Sequence, residues 1–402
     1  MICFGIDRLL LEPDLRKDLK GKRLGLLGHP ASLDSKMLHS LDVLMGMSDL
    51  KITCAFGPQH GMRGEKQYNM IESEDYLDPI RGIPVFSLYG ETRRPTDEML
   101  SHCDGVLIDL QDLGCRIYTY LTSMIYMMEA CARLKKFVWV LDRPNPAGRS
   151  LEGSILKPGN ESFVGVGPVL MRHGLSLGEM AKWAHKVLRL DVELKVIEMS
   201  GYQISAAPGY GWPLEERAWV NPSPNAPNLS MARMYAGTVL LEGTHLSEGR
   251  GTTRPLEGFG APGLDGLTIL KEMERLQPKW LEGCLLRPFY FEPTFYKFKG
   301  ELCRGVQIHV DHSRYDPTRF KPYRLMALAL KAVRRLYPEF SLFRDFAYEY
   351  VTDRPAIDVI SGCDYLRKWV GDPESKPGDL EHFLSQDEAK WAVEMRPYQI
   401  YR

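Results

Sequence analysis

The stretch DGVLIDLQDLGCRIYTYLTSMIYMMEACARLKKFVWVLD, residues 104–142, decides the fold of this chain. Its two ends, DGVLIDL and FVWVLD, are short apolar runs with little polar alternation, which is typical of strands covered on both faces. Between them, YLTSMIYMMEACARL has the length of a helix. Because a strand, a helix and a second strand in this order form a crossover unit, the stretch predicts two parallel strands in one sheet.

The same alternation of strands and helices runs through the whole first half of the chain. Ser176 and Glu179 stand at capping-box spacing and mark the start of one helix. The pattern predicts an α/β fold with an open, mostly parallel sheet of Rossmann-like shape and helices on both faces. The other predicted strands are RLGLLGH (23–29), KITCAFG (51–57), IPVFSLYG (83–90) and VELKVIEM (192–199), and the other helices cover 35–47, 96–102 and 176–190.

The amino-acid composition changes beyond residue 200. Residues 200–265 are dense in Gly, Pro and Asn, which predicts a long loop region of the kind that usually carries function. After it, helical patterns at 267–276, 323–337 and 380–395 accompany two strand-like runs at 286–298 and 305–312. We therefore predict a Rossmann-like catalytic domain over residues 1–261 and a smaller α+β auxiliary domain over residues 262–402.

The composition excludes several classes of protein. The chain has 402 residues with 51 basic and 52 acidic side chains, so it lacks the basic excess of a nucleic-acid binder. No stretch approaches the ~18 apolar residues of a membrane span, and the N-terminal residues do not resemble a signal peptide. Eight cysteines without a CxxC pair predict free thiols in a reducing compartment. We expect a cytoplasmic protein without membrane insertion, and its oligomeric state stays open.

Polar residues follow four of the predicted strands. Because ligands bind at the carboxyl ends of strands in an open parallel sheet, these four loops together predict a site for a polar ligand. The alternative is that they are merely solvated or cap helices. The residues are Gln59, His60 and Arg63 after the second strand, Glu91 after the third, Asp112, Arg116, Tyr118 and Tyr120 after the fourth, and Asp142, Arg143 and Asn145 after the fifth.

Glu91 and His60 are the candidate catalytic residues. Gly90 allows a tight turn that could aim the Glu91 carboxylate into a cleft. The alternative for Glu91 is an acid that stabilises the start of a helix. An imidazole can transfer a proton near neutral pH, but His60 could also be a structural residue bonded to the loop backbone.

A glycine-rich segment, LEGTHLSEGRGTTRPLEG (241–258), contains the second group of candidates. Its arginines could hold a carboxylate or a phosphate, and the alternative is an ion-paired hinge between domains. The candidates for substrate binding are Glu242, Glu248, Arg250 and Arg254 in this segment and Asn225 in the preceding NPSPNAPN (221–228).

Cofactor motifs are absent or incomplete. GFGAPG (258–263) matches the dinucleotide-binding pattern literally, but it does not follow a predicted strand and contains a proline. No P-loop motif occurs. His309, Asp311 and His312 lie close together, but strand alternation separates them, so we expect no metal site there. The sequence predicts a function without cofactor or metal.

Six blocks, read in order, resemble the signature blocks of the NamZ/YbbC family of exo-β-N-acetylmuramidases, glycoside hydrolase family 171, long catalogued as a domain of unknown function. The similarity extends over essentially the whole chain. The blocks are GPQHGMRG (57–64), SLYGETRRPT (87–96), DLQDLGCRIYTY (109–120), DRPNP (142–146), NPSPNAPN (221–228) and EGTHLSEGRGTTRP (242–255).

This resemblance implies a bacterial hydrolase that releases N-acetylmuramic acid (MurNAc) from the non-reducing end of peptidoglycan fragments. It implies a cleft between a Rossmann-like domain and an auxiliary domain, and no cofactor. The family's proposed catalytic glutamate matches Glu91, and its conserved histidine matches His60. One departure concerns Gln59, because family members usually have glutamate at that position.

The resulting mechanistic hypothesis makes Glu91 the general acid/base, with a pKa raised by the closed cleft. Arg116, Arg143, Arg250 and Arg254 are candidates for the lactyl carboxylate that distinguishes MurNAc from glucosamine. Two alternatives stay open. The chain could be a glycosidase for another N-acetylated or acidic sugar, or a catalytically silent protein that binds muropeptides.

Overall fold

The strands predicted in the first half of the chain are confirmed, and they form one sheet. The structure is a computed structural model and describes residues 2–64, 66–67 and 70–402. The strands are β1 (Arg23–Gly28), β2 (Lys51–Gly57), β3 (Tyr76–Leu77), β4 (Pro84–Ser87), β5 (Gly105–Asp109), β6 (Phe137–Leu141), β7 (Glu152–Ile155), β8 (Leu170–Arg172), β9 (Leu194–Ile197), β10 (Gly258–Ala261), β11 (Leu285–Phe291) and β12 (Cys303–His309).

Helices cover both faces of that sheet, as predicted. The helices are α1 (Gly5–Leu11), α2 (Pro13–Arg16), α3 (Ser40–Met45), α4 (Asp97–Ser101), α5 (Tyr120–Arg133), α6 (Leu177–Val187), α7 (Leu229–Thr238), α8 (Gly266–Leu276), α9 (Pro322–Leu336), α10 (Ala356–Ser361), α11 (Tyr365–Gly371) and α12 (Pro377–Glu394). Short 3₁₀ turns occur at Lys17–Leu19, Val239–Gly243, Pro278–Leu281 and Arg396–Tyr398.

The main sheet has seven strands in the order β3-β4-β2-β1-β5-β6-β9, and every pair is parallel except the edge pair of β3 and β4. The apolar strand sequences reflect burial on both faces. In β5, Val106 and Ile108 pack into the core that contains α5 and α6, whereas Leu107 faces the core that contains α1 and α3. The sheet order reverses between β1 and β5, which places the carboxyl-end crevice of the fold at the loops that follow these strands.

The second unit contains an antiparallel sheet of order β10-β12-β11, packed against α8. The predicted antiparallel strands are therefore confirmed. The GFGA part of the GFGAPG motif forms β10 rather than a strand-to-helix turn. Since β10 belongs to this sheet, the predicted division after residue 261 separates it from its partner β12.

The prediction of continuous loop over residues 200–265 is wrong around α7. The Asn228 side chain caps this helix by accepting a hydrogen bond from the Met231 N–H at 2.9 Å. Every residue of α7 is buried, and the helix packs against α9. Burial on all sides removes the polar face that would have revealed the helix in the sequence.

The C-terminal end of the chain returns to the first unit. Helix α12 packs against β7, and the Tyr401 hydroxyl donates to Asp142 at 2.7 Å. Arg116 of the first unit donates to the carbonyl of Ile360 in α10 at 3.0 Å. These contacts join the first unit to the C-terminal part of the chain. In the described ranges, no helix combines the length and apolarity needed to cross a membrane.

Candidate active site

A polar pocket lies at the carboxyl edge of the main sheet. The loops after β2 and β5 form one wall, and Val164 and segments from residues 223–256 and 348–349 form the rest. Its lining residues are Gln59, His60, Ile117, Tyr118, Thr119, Tyr120, Val164, Ser223, Asn225, Met231, Tyr235, Glu242, Arg250, Leu256, Tyr348 and Glu349. The pocket thus contains several of the residues expected from the sequence: Gln59, His60, Tyr118, Tyr120, Asn225, Glu242 and Arg250.

His60 occupies the left-handed backbone region, with φ at 74°. Its Nδ1 lies 2.7 Å from the carbonyl oxygen of Lys66, which can only accept, so Nδ1 carries the proton. The other ring nitrogen, Nε2, is therefore an acceptor. Burial lowers the pKa of His60 to about 4, so the imidazole is neutral at physiological pH.

Glu349 enters the pocket from an unusual turn. Tyr348 and Val351 exchange two backbone hydrogen bonds, of 3.2 and 3.0 Å, around the central pair Glu349 and Tyr350. Both central residues have positive φ, 46° and 67°. A two-residue hairpin of this kind strongly prefers Asn and Gly. Non-glycine residues held in such strained positions cluster at functional sites, which makes Glu349 a functional candidate.

Two neutral donors hold the Glu349 carboxyl group. Gln59 Nε2 donates to Oε1 at 3.2 Å, and the Tyr89 hydroxyl donates to Oε2 at 2.9 Å. Thr119 Oγ1 donates to Gln59 Oε1 at 2.8 Å and thereby fixes the orientation of the amide. Burial raises the pKa of Glu349 to about 7, and the nearby carboxylate of Glu242 adds to this rise. A substantial share of Glu349 is therefore protonated at neutral pH.

Glu242 has a different environment. Its Oε1 accepts from Arg250 Nη2 at 2.6 Å, and its Oε2 accepts from the Tyr348 hydroxyl at 2.7 Å. Arg250 also donates from Nε to Glu248 at 3.0 Å. Glu248 itself lies behind the pocket wall, where it is fully buried. The pocket therefore contains two carboxyl groups, one held by neutral donors and one paired with a guanidinium.

Glu91 lies on the surface, outside the pocket lining. Gly90 is explained by close packing, since a Cβ there would come within 2.5 Å of the Ser73 carbonyl oxygen. The segment nevertheless borders the pocket through Tyr89, whose hydroxyl reaches Glu349. The turn that was expected to aim Glu91 inward brings the side chain of Tyr89 inward instead.

Polar side chains of the loop after β6 and of part of the loop after β5 form internal hydrogen bonds and do not line the pocket. Asp112 accepts from the Gly114 N–H at 2.6 Å, and Asn145 donates to two backbone carbonyls. Asp142 is fully buried and accepts from the Tyr401 hydroxyl. Of the expected loops, the structure brings those after β2 and β5 together.

Four of the arginines expected from the sequence also lie outside the pocket lining. Arg116 donates to three backbone carbonyls. Arg143 binds the buried Asp109 carboxylate in bidentate fashion, at 2.5 and 2.8 Å. Arg254 and Arg63 are partly exposed and pair with nearby carboxylates. Arg250 is therefore the predicted arginine that the pocket contains.

Sequence reasoning missed Glu349 and its neighbour Tyr348. Glu349 lies 290 positions beyond Gln59, in a segment without glycine or asparagine to signal the turn. No motif distinguishes the Tyr-Glu-Tyr triplet. Over the part of the chain that the structure describes, no group of three or more His, Cys, Asp or Glu side chains is arranged to hold a metal ion.

Comparisons with known proteins identify the family of this chain and agree with its fold. Residues 24–230 match the family model described as exo-beta-N-acetylmuramidase NamZ, N-terminal, and residues 233–401 match its C-terminal counterpart. The peptidoglycan beta-N-acetylmuramidase NamZ of Bacillus subtilis is 40% identical over 364 residues, which cover 90% of this chain and 83% of that protein. The two family models meet within the first turn of α7, some thirty residues before the division expected from the sequence.

Two crystal structures of DUF1343 family proteins from Bacteroides fragilis have the same fold. One has a TM-score of 0.84 at 28% identity, and the other has a TM-score of 0.73 at 25% identity. Each alignment covers 100% of this chain and 99% of the other. Since both family models match and a relative of this identity spans most of the chain, the chain belongs to the NamZ family of exo-β-N-acetylmuramidases.

Proposed function

We propose that this protein releases terminal β-linked MurNAc from the non-reducing end of peptidoglycan fragments, and that the reaction takes place in the pocket of His60, Glu242 and Glu349. Family membership supports the activity. The observation that carries the assignment of the site is Glu349, a buried carboxyl group in a strained turn beside a second, ion-paired carboxylate.

The environments of the two carboxyl groups suggest different roles. Glycosidases need one acid to protonate the leaving oxygen and a second group that acts at the anomeric carbon or on water. Glu349 has the raised pKa of an acid, and Glu242 is paired with Arg250. We assign the proton donation to Glu349 and the second role to Glu242. His60 Nε2 accepts a hydrogen bond from a sugar hydroxyl or from water.

Arg250 is our candidate for the lactyl carboxylate of MurNAc. Among the four arginines considered from the sequence, it alone belongs to the pocket lining. Its Nε and Nη2 bind Glu248 and Glu242, and within the described residues its Nη1 has no hydrogen-bond partner. A guanidinium group fixed on two sides presents its remaining edge with little loss of entropy.

Two alternatives make different predictions. A glycosidase for another sugar would prefer a different member of a panel of chromogenic glycosides. A silent muropeptide binder would bind tightly in calorimetry without turnover. The experiment that tests the proposal is incubation of the purified protein with a chromogenic β-MurNAc glycoside, for which we expect hydrolysis. Binding without release of the chromophore would refute it.

The pH profile is the first quantitative prediction. Because Glu349 must be protonated to act as an acid and its pKa is raised to about 7, kcat/KM should be maintained up to near neutral pH. Above that, it should fall about tenfold per pH unit. The measurement uses the disaccharide MurNAc–GlcNAc, whose leaving sugar needs protonation. An alkaline limb centred near an ordinary glutamate pKa, about 4.3, would contradict this role.

A second prediction concerns Gln59. Its amide donates to Glu349 and favours the ionised carboxylate, so Gln59→Leu should raise the pKa of Glu349 further. We expect the alkaline limb of the pH profile to move up by about one pH unit. Gln307→Leu, at a buried glutamine of β12 outside the pocket lining, is the matched control. An unmoved limb in Gln59→Leu would show that the amide does not act on Glu349.

We place the enzyme in a reducing compartment, as expected for the cytoplasm. All eight cysteines are free thiols, and five of them are buried. Buried cysteines that pack as small apolar groups, without disulfides, are typical of proteins in reducing compartments. In the cytoplasm the substrates would be wall fragments that the cell has taken up.

A further inference from the structure

Tyr350 is the second residue of the strained turn, and its side chain faces outward. Whereas Glu349 is buried, 54% of Tyr350 is exposed. Positive φ is unfavourable for a large aromatic residue, and the exposed part of this ring is not used for packing in the core. Its position directly after the proposed acid therefore suggests a role in binding.

The ring of Tyr350 is held in place from two sides. The guanidinium of Arg93 stacks on it at 3.9 Å from the ring centroid, and the hydroxyl donates to Glu72 at 3.0 Å. Arg93 is itself fixed, since it donates to the Gly90 carbonyl and lies over the ring of Tyr89. The side chain is therefore a fixed aromatic surface outside the pocket lining, next to Arg93 and Tyr89, and little entropy would be lost when a ligand packs on it.

The position of the leaving sugar follows from the role of the general acid. A general acid must lie within hydrogen-bond distance of the glycosidic oxygen, so the leaving sugar must sit next to Glu349. In an exo-acting enzyme the terminal sugar fills the pocket and the leaving sugar points toward solvent. The ring of Tyr350 shares the guanidinium of Arg93 with Tyr89, whose hydroxyl binds Glu349. We place the leaving sugar on the outward side of the acid, where the Tyr350 ring is exposed.

We propose that Tyr350 is the binding platform for the sugar on the reducing side of the scissile bond. This inference rests on the proposed function. A pyranose ring has an apolar face of C–H groups that can pack on an aromatic ring, while its hydroxyls stay in water. The occupant is an N-acetylated pyranose, the GlcNAc unit of a muropeptide. The terminal MurNAc makes no contact with this ring.

The test compares two substrates that differ in the leaving group. MurNAc–GlcNAc carries a sugar that can pack on Tyr350, whereas β-MurNAc fluoride has no leaving ring and needs no protonation to depart. We expect Tyr350→Ala to lower kcat/KM for the disaccharide about tenfold and to change that for the fluoride less than about twofold. Tyr350→Trp keeps a platform and should retain most activity on the disaccharide.

A binding measurement makes the result independent of turnover. In the Glu349→Gln background, calorimetry should show that Tyr350→Ala weakens the binding of MurNAc–GlcNAc about tenfold and leaves the binding of free MurNAc unchanged. Equal losses on both ligands, or no loss on either, would overturn the platform. Failure of the acid assignment looks different, because Glu349→Gln would then cleave the disaccharide at the normal rate. The Tyr350 comparison is in that case made from kcat/KM for the disaccharide and the fluoride alone.

Discussion

Glu349→Gln is expected to lower kcat/KM for MurNAc–GlcNAc by about 10²- to 10⁴-fold, the usual contribution of a general acid. Glutamine has nearly the same shape and can still accept the hydrogen bond from Tyr89, so the turn should remain intact. It cannot donate a proton to the glycosidic oxygen. The loss should be much smaller for a p-nitrophenyl glycoside, because that leaving group departs with little protonation.

Glu91→Gln is the decisive comparison for this experiment. Both glutamates lie in segments that border the pocket, but Glu91 is exposed and Glu349 is buried. Burial gives Glu349 the raised pKa that an acid needs near neutral pH. If Glu91→Gln lost more activity on the disaccharide than Glu349→Gln, the acid role would return to Glu91.

Arg143→Met is expected to lower the free energy of unfolding by about 3–5 kcal/mol. The guanidinium binds the Asp109 carboxylate, which is fully buried at the end of β5, and the methionine would leave that charge without its partner. Ser40 Oγ would remain as a donor to the carboxylate but carries no charge. The measurement is chemical denaturation followed by circular dichroism.

Arg23→Met is the matched control, because Arg23 also forms a close ion pair with an aspartate, Asp104, but at the surface. We expect a much smaller loss of stability there. The folded Arg143→Met protein should keep the wild-type KM for a MurNAc glycoside. A variant of normal stability with a greatly raised KM would instead identify Arg143 as a substrate ligand, as first expected from the sequence.

Much of the site could be predicted because it lies in loops that follow strands. The apolar runs of β2 and β5 locate the ends of these strands, and the sheet geometry then brings Gln59, His60 and Tyr118 together. The glycine-rich segment likewise indicated Glu242 and Arg250. The structure brings these residues into one pocket because the loop residues follow parallel strands and the glycine-rich segment has a recognisable local pattern.

The sequence by itself determined the strand-helix alternation, the antiparallel second sheet and the family, since all of these follow from local periodicity and ordered motifs. Which charged residues line the candidate pocket was decided only by the tertiary structure. Arg116 and Arg143 resemble ligand-binding arginines in the sequence, yet their partners Ile360 and Asp109 lie far away along the chain. Glu349 could not be predicted for the same reason. Its hydrogen-bond partners lie 260 and 290 positions away, and no local pattern in the sequence encodes its burial, its strained turn or its raised pKa.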